Sequence, residues 1–248
     1  MNNRDQELNK YMQRDAAGLL YGNAVVGILI SIITSSFLVF AFRNPLTDTF
    51  KHLWWCGMVL LLVLRLVAVL WWQAKLQYTE FDGRKALKRF IIGVNLTAVM
   101  WTSYTIYITI NDQGIELTTT VITVAAMAGG SATVLAAHKY TAMFYAFILL
   151  FPASVGLLLS SENALQLLGV LGTTFSFVMV IISKKSADFT HHTLVLKNEN
   201  AVLVHHMEEQ VELRTQKIYE LSNLDPLTGL FNRTAFLSNL KTVITAST

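Results

Sequence analysis

The sequence predicts an all-α membrane protein in which a six-transmembrane-helix bundle is followed by a long cytoplasmic coiled-coil helix. Three observations predict it. Hydrophobic residues make up 53% of the 248 and charged residues 14%, whereas charged residues form about a quarter of a soluble domain. The apolar residues fall in nearly uncharged blocks, each long enough to cross the roughly 30 Å hydrocarbon layer as a helix. After the last block the composition turns polar, and neither proline nor glycine interrupts Lys184–Ser222, a stretch that as one helix would extend about 58 Å.

The elements follow in order. Residues 1–18 form a polar N-terminal segment carrying Arg4, Lys10 and Arg14, without the apolar stretch and cleavage site of a signal peptide. Residues 19–183 form the transmembrane domain, with spans at Leu19–Phe42, Leu53–Trp72, Phe90–Ile110, Leu117–Ala137, Tyr140–Ser160 and Ala164–Ile182. Helices are required, because an open sheet would leave backbone groups unpaired in lipid and a barrel needs alternating strands. Lys and Arg concentrate in the N-terminal segment, in Gln73–Arg89 and after the sixth span, so both termini are expected in the cytoplasm. Arg43 and Lys51 run against this bias. The connections on the other side are a few residues long, so any signal should arise within or beside the membrane. The single Cys56 excludes an internal disulfide, and no Cys/His spacing resembles a zinc module. A net charge of +3 clustered beside apolar blocks suits anionic lipid rather than nucleic acid.

Polar residues inside the spans supply the candidate ligand site. Arg65 lies near the middle of the second span, where a charge costs at least about 2.5–3.5 kcal/mol and must be paired or hydrated. No Asp or Glu lies within the spans as bounded above, so its partner is a hydroxyl, a carbonyl, the Asn95 amide, water or the anionic head of a ligand. The third span adds Asn95, Trp101, Thr102 and Tyr104, a face that could line a cavity or make hydrogen bonds between helices. His138, at the end of the fourth span, could titrate, bind a ligand or make an interfacial contact. Trp54, Trp55, Trp71 and Trp72 bracket the second span as interfacial anchors. Ala125, Gly129 and Thr133 repeat at four-residue spacing and predict close packing of the fourth span. Pro152 predicts a kink in the fifth, with the freed carbonyl taken up by a neighbouring helix or water.

Residues 184–222 form the stalk. Phe189, Thr193, Leu196, Asn200, Leu203 and Met207 follow one another in steps of four and three, a coiled-coil seam. The next positions, Val211, Arg214, Ile218 and Leu221, place one stutter at Leu203, Met207 and Val211, where the supercoil is locally unwound. Asn200 in the seam favours a parallel dimer in register. The pairs His191–His192 and His205–His206 share a face across two heptads, but no carboxylate or cysteine completes a conventional metal site.

After the stalk stands "LSNLDPLTGLFNRTAF". Pro226 stops the helix at Asp225, Gly229 permits a tight bend, and Asn232 and Arg233 open a new helix with Phe236, Leu237 and Leu240 directed to a core. Asp225, Leu227, Thr228, Gly229, Leu230, Asn232 and Arg233 match in order the D-x-L-T-G-L-x-N-R run at the entry to GGDEF-family diguanylate cyclases, and the chain resembles that family over these residues. The resemblance implies that 223–248 is the truncated beginning of an α/β GGDEF domain, and that Asp225 makes a local polar contact fixing the angle between stalk and domain. It implies a bacterial inner-membrane protein whose intact form, with Mg and GTP, condenses two GTP to cyclic di-GMP as a homodimer. The metal-binding acids and the G-G-D/E-E-F loop do not occur in the chain, so these residues alone should be inactive, have no catalytic residue and bind no cofactor. A phosphodiesterase carrying a degenerate GGDEF domain ahead of an EAL domain is the alternative. A transporter using Arg65 is a remote one, since the two halves show no repeat.

Overall fold

The computed structural model describes residues 3–76, 83–111, 114–226 and 228–246. Seven helices follow in order: α1 Asn3–Ala41, α2 Asp48–Leu76, α3 Gly83–Asn111, α4 Ile115–Val134, α5 Lys139–Leu158, α6 Asn163–Asn223 and α7 Arg233–Ala246. No strand occurs among the described residues; the one isolated antiparallel bridge joins Leu224 to Phe231. Residues 1–194 form one compact unit and 195–248 a second.

Among the described residues six helices, α1 to α6, are long and apolar enough to cross a bilayer, which makes this a multi-pass membrane protein. Their outward faces carry Ile33, Leu60, Leu64, Ile122, Leu167 and Leu171, all exposed. Lipid is the medium in which such an exterior lies without hydrophobic cost. The interior joins Leu20, Ile28, Met58, Leu62, Trp101, Ile108, Leu117 and Leu149 in one core. Alternate helices run in opposite directions. One end of the bundle therefore holds the α1–α2 and α3–α4 connections, called here the Lys51 end, and the other holds the α4–α5 turn, called the Lys139 end.

Several helices outrun the spans read from hydropathy. α1 begins at Asn3, taking in the polar N-terminal segment, and α2 and α4 begin at Asp48 and Ile115, each earlier than the apolar run alone indicates. Polar residues continue a helix wherever backbone bonding and packing carry it on.

Pro152 sits inside α5 without ending it. The carbonyl it frees, four residues back at Ile148, accepts a hydrogen bond of 2.7 Å from the Thr102 hydroxyl of α3. A neighbouring helix thus supplies the missing donor, as the sequence predicts.

The small-residue contact falls elsewhere than predicted. A Cβ added at Gly129 or Gly130 would meet nothing within 4 Å, and α4 buries Val124, Ala128 and Ala132 instead. Close approach occurs on α6, where a Cβ at Gly169 would stand 2.6 Å from the Leu158 backbone nitrogen of α5. Four-residue spacing identifies a smooth stripe but not which stripe meets a partner.

The tryptophans are also corrected. Trp54 and Trp72 are buried in the core and Trp72 stacks on Tyr21 with centroids 4.0 Å apart, whereas Trp71 is exposed. Residues one position apart on a helix point about 100° apart, so Trp71 and Trp72 divide between exterior and interior, while Trp55 is partly buried against the core.

In the second unit every side chain from Ala201 to Ser222 on α6 is exposed in the single chain.

Candidate functional site

The five candidate ligand residues do not converge. Arg65 occupies one location, Trp101 and Tyr104 another, and His138 a third.

Arg65 of α2 lies against Gly93 and Thr97 of α3, and Arg89 stands one turn before Gly93 on the same stripe. Its Nη1 donates to the Thr97 hydroxyl at 2.7 Å, and that hydroxyl in turn donates to the Gly93 carbonyl at 2.9 Å. The stem passes so close to Gly93 that an added Cβ would meet Cγ, Cδ and Nε of Arg65 at 3.2 Å each. Glycine is what lets a long cation lie flat on α3. The guanidinium carbon stands 6.0 Å from the Phe90 ring centroid, a weak cation–π contact. Asn95, on another face of α3, does not bond Arg65, and its buried Oδ1 has no hydrogen-bond partner.

Trp101 and Tyr104 are fully buried and pack on Trp54, with centroids 5.5 and 4.5 Å away. The Trp101 indole N–H has no acceptor. The Tyr104 hydroxyl donates to Glu116 Oε1 at 3.1 Å, which leads to a cluster the sequence reading missed. Lys51, 0% exposed, lies 3.2 Å from Oε1 of Glu116, itself 4% exposed. The same ammonium donates to the Phe42 carbonyl that ends the α1 region and lies 3.4 Å from Asp48 Oδ1. One lysine thereby ties α1, α2 and α4 together at the Lys51 end, with Tyr104 of α3 closing the group. Lys51 is therefore no topological signal, and its dissent from the positive-residue bias disappears. The available sequence sign was a lone Lys and a lone Glu, each a residue or two outside an apolar run, at the same end of the bundle.

His138 is a helix cap. Its Nδ1 accepts from the Thr141 backbone N–H at 3.3 Å and lies 2.8 Å from the Thr141 hydroxyl. Burial pushes the imidazole below its ordinary pKa, which favours the neutral form that can accept. Beside it Lys139 meets Asp188 of α6 at 2.7 Å, both exposed.

In the second unit, Asn200, Leu203, Met207 and Val211 are exposed along α6. The segment after α6 is ordered by its own side chains. Asp225 Oδ1 accepts from both the backbone N–H and the hydroxyl of Thr228 at 3.0 Å, the expected local polar contact. The Asp225 N–H donates to the Leu230 carbonyl at 2.8 Å and the Gly229 N–H to the Asp225 carbonyl at 2.9 Å. Pro226 stands in this turn, and Gly229 has a φ of 68°, where a side chain is disfavoured. Asn232 works in both directions: its Nδ2 donates to the Ser222 carbonyl at 2.7 Å and its Oδ1 accepts from the Ala235 N–H at 2.9 Å, capping α7 at Arg233. Leu227 lies outside the described residues. Phe236, Leu237 and Leu240 are exposed, so the core expected beneath α7 is not formed by the described residues. No cluster of three metal-ligating side chains occurs among the described residues, at the histidine pairs or elsewhere.

Comparison with family models, with curated proteins and with solved structures finds no match for this chain.

Proposed function

We propose that the chain is the sensory and dimerising part of a bacterial inner-membrane diguanylate cyclase, with both termini in the cytoplasm. The observation that carries this reading is one helix, α6, running unbroken from an apolar span to Asn223, followed at once by the D-P-L-T-G-L-F-N-R turn. A helix that leaves the membrane and enters such a turn suits a signalling protein and would be unexplained in a transporter. The exposed line of Leu203, Met207 and Val211 supports pairing with a second copy, which would bring two GTP-binding domains face to face. The signal would be a small or lipid-like molecule within the spans that favours one arrangement of them over another, since only differential affinity shifts such an equilibrium.

Disulfide crosslinking in native membranes tests this. With Cys56→Ser, a Leu203→Cys chain should form a same-residue bridge on mild oxidation, faster than His205→Cys on the far side of α6. No bridge at Leu203, or equal rates at the two positions, refutes the parallel stalk and with it the proposed function.

A further inference from the structure

We propose that Arg65 and Arg89 form a headgroup site for an anionic glycerophospholipid in the groove between α2 and α3. The inference deepens the reading of the bundle as a membrane sensor and rests on it.

A guanidinium carries five N–H donors in a rigid fork. Thr97 engages Nη1, and among the described residues no other acceptor bonds Arg65, so the Nε–Nη2 edge is left over. None of its nitrogens is among the fully buried unsatisfied polar atoms, so the leftover edge keeps some access to the exterior. That edge is the one a phosphate or carboxylate bridges with two parallel hydrogen bonds. Arg89, exposed and one turn from Gly93 on the same stripe of α3, supplies a second cation about 6 Å along the helix. The Tyr21 phenol lies within electrostatic range of both guanidinium groups. Neither arginine has an ion-pair partner among the described residues.

The surroundings select a lipid over a free anion. The outward faces of the two helices are apolar, with Leu64 and Val67 of α2 and Ile92 and Leu96 of α3 exposed. An occupant must offer an anion to the fork and hydrocarbon to these side chains at the same time. A phosphodiester headgroup with acyl chains does both, and two cations in line fit a phosphate better than a single carboxylate.

The purified chain can be placed in nanodiscs holding equal amounts of phosphatidylglycerol and phosphatidylcholine, and the lipids retained on release measured by native mass spectrometry. Phosphatidylglycerol should be retained preferentially. Arg65→Gln and, independently, the exposed Arg89→Gln should each lower that preference about tenfold, the loss of one charge-assisted contact, and Arg65→Lys should lower it less. Equal retention of the two lipids by the unsubstituted chain, or an unchanged preference in Arg89→Gln, overturns the proposal. Inorganic phosphate at millimolar concentration should not displace the lipid; displacement would assign the site to the free anion and also overturn it. The Leu203 bridge reads the stalk separately, so a chain that crosslinks without lipid preference loses this inference alone.

Discussion

Lys51 and Arg65 stand fourteen residues apart on α2, about four turns and nearly the same face, yet they meet opposite surroundings. Lys51 is sealed and satisfied by Glu116, Asp48 and the Phe42 carbonyl. Arg65 is half-buried, with one neutral hydroxyl as its hydrogen-bond acceptor. A cation that meets a carboxylate of its own chain is fixed within the fold. A cation given only a hydroxyl keeps its charge available to something from outside.

The largest effect should come from breaking the first arrangement. Glu116→Gln leaves the Lys51 ammonium buried without full compensation, and the chain should lose about 3–5 kcal/mol of stability, measured by reversible unfolding in mixed micelles. Replacing both partners, Lys51→Met with Glu116→Leu, should recover most of that loss. If the single and double variants unfold alike, the pair is not what holds α1, α2 and α4 together at that end.

Next comes Thr102→Val, which removes the donor to the Ile148 carbonyl. The expected cost is about 0.6–1.7 kcal/mol, the range for hydrogen bonds between membrane helices. Adding Pro152→Ala returns a backbone N–H to that carbonyl, so the cost of Thr102→Val should shrink in the Pro152→Ala background. A cost that persists there would mean that Thr102 acts by packing alone.

Arg65→Gln sharpens the contrast with Lys51. It removes a single bond to Thr97, so stability should fall by only about 0.6 kcal/mol. A loss as large as that of Glu116→Gln would make the two cations alike and remove the comparison.

The smallest effect concerns His138. Its folded pKa lies below the ordinary value because of burial, so the folded state binds fewer protons than the unfolded one. Stability from this group is full above the ordinary histidine pKa and is lost as pH falls towards the folded value. His138→Asn keeps a capping side chain without a titrating one. Melting temperatures taken from pH 7.5 down to pH 5, conditions chosen to bracket an ordinary histidine, should therefore fall more for the unsubstituted chain than for His138→Asn.

Much of this architecture is legible in the sequence for one reason: lipid demands long apolar helices, and long apolar runs survive errors of a few residues at their ends. The same tolerance hid the Lys51 cluster. Spans ended at Leu53 and Leu117 place Lys51 and Glu116 in loops, where a charge needs no partner, whereas helices begun at Asp48 and Ile115 bury both. Pro152 was readable because a missing N–H obliges some donor to appear, while the identity of Thr102 required the fold. Arg65 could be singled out by the cost of its charge, but its position beside Gly93 and Arg89 depends on which faces of α2 and α3 meet. Local turn chemistry fared best: the roles of Asp225, Gly229 and Asn232 follow from neighbours within ten residues.

Gly169 and Gly172 of α6 carry a consequence for how this sequence can drift. In a helix facing lipid or solvent, alanine is preferred over glycine by about 0.5–1 kcal/mol, so undirected substitution should convert helical glycines to alanine. At Gly129 and Gly130 nothing obstructs that change, since an added methyl meets open space. At Gly169 it would collide with the Leu158 backbone, and at Gly172 with the Ser154 hydroxyl. A backbone cannot step aside as a hydroxyl rotor can. Lineages descended from this chain should exchange Gly129 and Gly130 freely, accept alanine at Gly172 only together with a change at Ser154, and keep Gly169 without exception.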